Sequence, residues 1–122
     1  MHEMSIALAV VDRVEEHARD HGRAEAVVLR IGELAGVVPE SLHFCFALAC
    51  EDTPLAGAEL RTETVAGRAR CAPCDRTWAT GMPPDLTCPG CAGPAAALLS
   101  GRELEIAEVR WVPRHAPTPQ ES

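Results

Sequence analysis

The sequence predicts an α+β fold into which a small cysteine-built unit is inserted. Three observations carry that prediction. Two segments repeat apolar residues at helical spacing, three others read as strands, and the stretch before the last strand holds two Cys-x-x-Cys pairs among many glycines and prolines.

Residues 4–21 predict the first helix. Ala7, Val11, Val14 and Ala18 recur on one face, Val10 widens the stripe, and Glu15, Glu16, Arg19 and Asp20 fall mostly on the wet side. Gly22, after His21, suits the left-handed position that ends a helix. Residues 25–34 alternate as a strand, with Val27, Leu29 and Ile31 on one face and Val28, Arg30 and Gly32 on the other. Gly36 then marks a turn. Pro39 suits a first helical turn, and Leu42, Cys45, Phe46 and Ala49 form a second helical stripe that Thr53-Pro54 stops. Threonine-rich residues 58–65 predict a second strand and residues 103–112 another. In the last of these Leu104 and Ile106 share one face while Val109 and Trp111 fall on the other, so a bulge or a change of neighbours is expected near Ala107. Residues 113–122, with three prolines and polar neighbours, are expected to form a mobile tail.

Between the last two strands, residues 67–101 differ in character. Trp78, Met82, Leu86, Leu98 and Leu99 cannot alone offset the entropy of ordering this segment at roughly 1–2 kcal/mol per residue. A crosslink is required.

Composition narrows the function. A chain of 122 residues with only four aromatic side chains, Phe44, Phe46, Trp78 and Trp111, has a thin core that a metal can reinforce. The net charge of −7, with arginine the only Lys/Arg-type cation, opposes docking on a phosphate backbone, so nucleic acid is not an expected partner. No run approaches the roughly 20 apolar residues of a membrane span, and Met1-His2-Glu3-Met4 opens no signal sequence. A cytoplasmic location is expected. In a reducing compartment the paired cysteines point to metal rather than disulfides.

Cys71-Ala-Pro-Cys74 and Cys88-Pro-Gly-Cys91 stand thirteen residues apart. Each pair forms a knuckle that presents two sulfurs, and a hairpin of that length can bring the knuckles together. Four thiolates at about 2.3 Å make a closed tetrahedral zinc site, which holds structure and leaves no position for water. Rubredoxin-like iron and a redox dithiol are the competing readings; the latter expects one pair at a helix start inside a βαβ unit, where neither pair sits. A zinc deaminase would need an H-x-E motif, which His2-Glu3 does not supply.

The terminus is the second candidate. The α-amine of Met1, the amide nitrogen of His2 and its imidazole can close fused chelate rings, and deprotonated amides favour Ni(II) or Cu(II) over zinc. Glu3 adds a carboxylate. The plainer reading is an uninvolved terminal histidine, and a helix N-terminus repels cations. By itself this motif decides nothing.

The arrangement as a whole resembles the HypA/HybF family of hydrogenase-maturation nickel metallochaperones. The resemblance rests on Met1-His2-Glu3-Met4-Ser5-Ile6, Leu29-Arg30-Ile31-Gly32-Glu33-Leu34, Pro39-Glu40-Ser41-Leu42, the two cysteine knuckles, and Ser100-Gly101-Arg102-Glu103-Leu104-Glu105-Ile106. It runs in order from residue 1 to about 112. It implies a nickel-binding α/β domain, residues 1–66 and 102–112, built as two helices packed on a three-stranded sheet. A zinc-ribbon-like four-cysteine domain, residues 67–101, would be inserted before the last strand. It also implies a function: delivery of Ni(II) to the large-subunit precursor of a [NiFe]-hydrogenase with a HypB-type GTPase, and in some bacteria service to urease. By position, His2 would be the essential nickel ligand, joined by Met1 and Glu3, while Cys71, Cys74, Cys88 and Cys91 would hold structural zinc. Two points depart from the pattern. Ala92 follows the last cysteine where many relatives carry glycine, and Glu40 could stand for a carboxylate that some relatives use for nickel, although a helix-dipole role is simpler.

His17 and His21, four apart at the edge of the first stripe, read as partly exposed structural residues, His43 as exposed, and His115 as part of the tail. Cys45 and Cys50 read as small buried hydrophobes. The leading expectation is a binding protein and not an enzyme, since no set of nucleophile, base and oxyanion donor emerges. The alternative is a zinc-ribbon protein-interaction adaptor without nickel delivery. Homodimerisation by exchange through the segments near residues 66 and 102 is a further possibility.

Overall fold

The computed structural model describes residues 2–95 and 97–113. Residues 114–122 of the expected tail, His115 included, and the α-amine of Met1 lie outside the described residues. Eight elements follow in chain order: α1 (Glu3–His21), β1 (Ala24–Gly32), α2 (Pro39–Cys50), β2 (Glu59–Val65), β3 (Arg68–Cys71), β4 (Arg76–Ala79), β5 (Ala97–Ser100) and β6 (Leu104–Trp111).

They form two three-stranded sheets. In the first the order is β2-β1-β6, with β1 parallel to β2 and antiparallel to β6. Parallel pairing requires a crossover, which α2 supplies. The helices pack against each other and, with Val27, Leu29 and Ile31 of β1, enclose one core. Helix α1 buries Ala7, Val10, Val11, Val14 and Ala18, the anticipated stripe, and ends as Gly22 (φ 91°) donates its N–H to the Ala18 carbonyl at 2.7 Å. Helix α2 contributes Leu42, Phe46 and Cys50, with Cys45 and Ala49 packed at the core's edge. Its end is tied by Thr53, whose hydroxyl donates to the Cys50 carbonyl at 2.6 Å and accepts from the Leu55 amide at 3.0 Å. That turn drives Leu55 into the core, a burial that sequence periodicity does not anticipate.

The phase change in the last strand has a clear cause. The register of β6 on β1 slips between Glu108, opposite Val28, and Ile106, opposite Leu29, leaving Ala107 as the extra residue of a bulge. The bulge turns Ile106, Val109 and Trp111 onto the same face, where all three pack against the core. On the opposite face Ala26 and Val28 are buried beneath neighbouring long charged side chains. There Arg30 pairs with Glu105 at 3.1 Å and with Glu63 at 3.8 Å.

The second sheet, order β4-β3-β5, is wholly antiparallel. It lies between β2 and β6 in sequence, and the chain passes to it and back through two adjacent crossings. The turn after β1 grips both. Strand β1 ends at Gly32 rather than continuing to residue 34, because the chain there bonds to the crossings instead. Gly32 N–H donates to the Glu103 carbonyl and Leu34 N–H to the Gly101 carbonyl, both at 2.7 Å, and Glu33 N–H to the Val65 carbonyl at 2.8 Å. Two carboxylates complete the joint: Glu33 accepts from Gly67 N–H at 2.8 Å and Glu103 from Gly101 N–H at 2.7 Å. The backbones touch. A Cβ on Gly32 would lie 2.0 Å from the Gly101 oxygen, and one on Gly101, at φ +119°, would lie 2.7 Å from the Gly67 Cα.

Candidate metal centres

Cys71 closes β3, and the turn that carries Cys74 leads into β4 through Asp75 at φ 54°. Cys88 and Cys91 lie on the turn before β5, where the Cys88 amide donates to the Gly93 carbonyl at 2.7 Å and the Ala92 amide to the Cys88 carbonyl at 2.8 Å. Ala92 itself stands at φ 59°, a left-handed position that explains why glycine suits the site. These two turns bring all four sulfurs within 4.8 Å of one another, with Cys71 and Cys91 at 3.6 Å. Zinc–sulfur bonds of about 2.3 Å give a regular tetrahedron with edges of about 3.8 Å, so the four donors fit such an ion after small adjustments. Cys71 and Cys88 are buried, Cys74 and Cys91 exposed.

The thiols differ in acidity for local reasons. Backbone N–H groups of Cys91 and Gly90 point at the Cys88 sulfur and, against desolvation, lower it to about 7. Cys74 is pushed up to about 12 by its hydrogen bond with the Cys91 sulfur, by partial desolvation and by Cys88. For Cys71 the backbone hydrogen bond from Cys74 pulls down, but desolvation and the sulfurs of Cys91 and Cys88 outweigh it and leave the thiol raised. Four thiolates cannot coexist here without a cation, which is the electrostatic case for a metal. The Arg76 guanidinium lies against Gly90 in the second knuckle, close enough that a Cβ there would meet its Nε at 2.8 Å. It places a positive charge beside the four sulfurs.

At the other candidate site, His2 occupies the N-cap of α1, and its carbonyl accepts from the Ile6 amide at 3.2 Å. Its side chain is exposed. Glu3 opens the helix and reaches across to α2: its Oε2 accepts from the Val38 amide at 3.0 Å, and Val38 is the N-cap of α2. That bond, with one from its own backbone, holds the Glu3 carboxyl below the ordinary carboxylate value. The starts of both helices thus meet at one corner, and Glu40 stands in the first turn of α2.

Comparison with known proteins decides the family. The family model described as "Hydrogenase/urease nickel incorporation, metallochaperone, hypA" matches residues 1–111. The chain belongs to the HypA family. A relative from Streptomyces avermitilis, "Hydrogenase maturation factor HypA", is 61% identical over 114 residues, covering 91% of this chain and 87% of that protein. A relative of the same name from Desulfosudis oleivorans is 43% identical over 113 residues, covering 89% and 96%. In fold, the chain matches the solution structure of the Ni metallochaperone HypA from Helicobacter pylori with a TM-score of 0.66 at 20% identity, over 92% of this chain and 98% of that one. A second solution structure of a HypA protein gives 0.68 at 22% identity, over 92% and 97%. These two similarities support the α+β fold with a zinc-ribbon-like cysteine site, and among the described residues no helix is long and apolar enough to cross a membrane.

The four cysteines converge as their spacing predicts. The carboxylates of Glu33 and Glu103 were not anticipated as joint-forming residues. The available signal was a glycine near a glutamate in two distant motifs, Gly32-Glu33 and Gly101-Arg102-Glu103.

Proposed function

We propose that this protein carries Ni(II) for hydrogenase maturation, gripping it at its first residues while a zinc ion staples its second sheet. The observation that carries the reading is the family match, which begins at residue 1 and is described by nickel incorporation. The nickel ligands would be the Met1 amine, the His2 amide and imidazole, and Glu3. Chemistry supports this set. The first amides of a helix have no intrahelical acceptor, so the His2 nitrogen can lose its proton to a metal without breaking the helix. The negative charge of Glu3 offsets the repulsion of a cation by the helix terminus. Its Oε2 is bonded to Val38, and its other oxygen can turn toward the ion.

Cys71, Cys74, Cys88 and Cys91 would hold zinc, which supplies folding energy and no reactive position. The division into a nickel-binding domain at residues 1–66 and 102–112 and a zinc-binding domain at residues 67–101 belongs to this same reading. So do a cytoplasmic setting, a role in binding rather than catalysis, and partnership with a HypB-type GTPase and a [NiFe]-hydrogenase precursor.

Metal analysis of tag-free protein with its native amino terminus tests the proposal. One zinc that resists mild chelation and one tightly held, exchangeable nickel are expected. His2→Ala should lose the tight nickel and keep the zinc. Retention of tight nickel by that variant overturns the assignment.

A further inference from the structure

Strand β6 is an edge of the first sheet, because β1 lies between it and β2. The Val112 amide donates to the Arg23 carbonyl at 2.8 Å, so residue 112 turns its polar backbone toward the β1 side. By strand alternation Arg110 and Glu108 do the same, while Val109 and Trp111 turn theirs to the open edge. Among the described residues nothing bonds those backbone groups from outside. The open segment is short. The bulge at Ala107 ends it on one side, and Pro113, which has no amide proton, ends it on the other. A groove lined by Arg13, His17 and Trp111 runs between α1 and β6, and Val109 and Trp111 are only half-buried. The edge can be reached.

Charge on the polar face of the sheet selects what fits there. Glu59, Ala26 and Arg110 form one row across the three strands, and Arg61, Val28 and Glu108 the next. Residues directly opposite in a ladder share a face, so an added strand must answer Glu108 and Arg110 with its own outward side chains. A second β6, running antiparallel about a twofold axis, meets this demand in one register. An axis at Glu108 sets glutamate against glutamate, and an axis at Arg110 sets arginine against arginine. A shift by a single residue turns the charges against the apolar face. An axis at Val109 sets Glu108 against Arg110 of the copy and Arg110 against its Glu108. It also sets Trp111 against the small Ala107. Arg110 then stands between Glu59 and Glu108 of the copy, and Glu108 between Arg61 and Arg110 of the copy, so both rows continue with alternating sign.

We propose that β6 is a docking edge for a second copy of this chain, paired antiparallel about Val109 so that two three-stranded sheets join into one of six strands. The two Val109 backbones exchange both hydrogen bonds, and each Trp111 pairs with Ala107 of the copy. The bond between Arg110 and Glu108 within one strand, 2.9 Å long and half exposed, is given up for its equivalent between strands at small cost. Both crossings and both cysteine units stay with their own chain, which distinguishes this pairing from exchange through the segments near residues 66 and 102. So short an interface gives weak, reversible association. It uses no metal ligand and stands or falls independently of the nickel assignment.

The test is sedimentation velocity of the zinc-loaded full chain over a wide range of concentration, with tryptophan emission followed in parallel. A reversible dimer is expected, with the Trp111 share of the emission changing as it forms. Arg110→Glu places glutamate against Glu108 of the copy on both sides of the axis and should weaken association at least roughly tenfold. The double variant Glu108→Arg, Arg110→Glu exchanges the charges within one strand, keeps every opposite pair complementary, and should restore association. Both side chains are half exposed, so the variants keep the fold, which circular dichroism verifies. A chain that stays monomeric up to near-millimolar concentration, a dimer indifferent to Arg110→Glu, or a double variant no better than the single one overturns the proposal.

Discussion

Replacing Gly32 by alanine probes the joint between the two sheets. The added Cβ would sit 2.0 Å from the Gly101 oxygen and 2.5 Å from the Arg102 nitrogen, both backbone atoms. Ordinary contact begins at about 3.4 Å, so the return crossing must retreat by about 1 Å or more. The 2.7 Å bonds from Gly32 N–H to the Glu103 carbonyl and from Leu34 N–H to the Gly101 carbonyl then pass out of hydrogen-bonding range. Two lost backbone bonds cost about 2 kcal/mol together, and overpacking adds about 1–3 kcal/mol. A loss of about 4 kcal/mol is therefore expected, a large part of the stability of a small domain. Thermal melting of zinc-loaded protein should show a fall in Tm on the order of 15 °C. Gly57→Ala serves as the control. Gly57 also has positive φ, +81°, but open space around it, so only the conformational cost of about 1 kcal/mol applies. Equal destabilisation by the two substitutions would refute the argument from close approach.

Removing the strain at Ala92 should work in the other direction: Ala92→Gly is expected to raise stability by about 1 kcal/mol, read from denaturant midpoints at constant zinc. Zinc affinity should fall steeply with acidity. Cys71 and Cys74, both held above the ordinary thiol value, must each give up a proton to bind, and Cys88 must do so as well below about pH 7. Competition with a chelator of known proton affinity should therefore show at least roughly a hundredfold loss per unit of pH below neutrality; a flat profile would mean that the thiols do not bind the ion. Cys50 is buried in the core and its thiol is raised to about 11, chiefly by burial and also by Glu15. Mass spectrometry after brief alkylation at neutral pH should find it unmodified in folded protein and modified after denaturation.

Much of this architecture is written locally. Helix α1 follows from the spacing of Ala7, Val11, Val14 and Ala18, and its end from Gly22, because helical periodicity and capping act over a few residues. The cysteine knuckles are equally local, and their convergence follows from a short hairpin and four identical donors. Even the bulge in β6 left a trace, since Leu104, Ile106, Val109 and Trp111 change phase in the sequence itself.

Other features have no local signature. Glu33 bonds to Gly67, and Glu3 to Val38, across 34 and 35 positions of chain. Gly32 and Gly101 are glycines because two strands of backbone pass within contact distance, a condition that neither neighbourhood records. Likewise His21 reads as an ordinary surface residue until β6 stacks Trp111 against its ring. Both helices, the three strands of the first sheet, the family resemblance and the pairing of four cysteines were legible in the sequence, because they depend on short-range periodicity and spacing, whereas β3, β4 and β5 lie in a segment with no strand-like alternation to read. Tertiary structure alone decided how the two sheets are locked and which polar groups meet, because such contacts join residues whose separation along the chain says nothing about their distance in space.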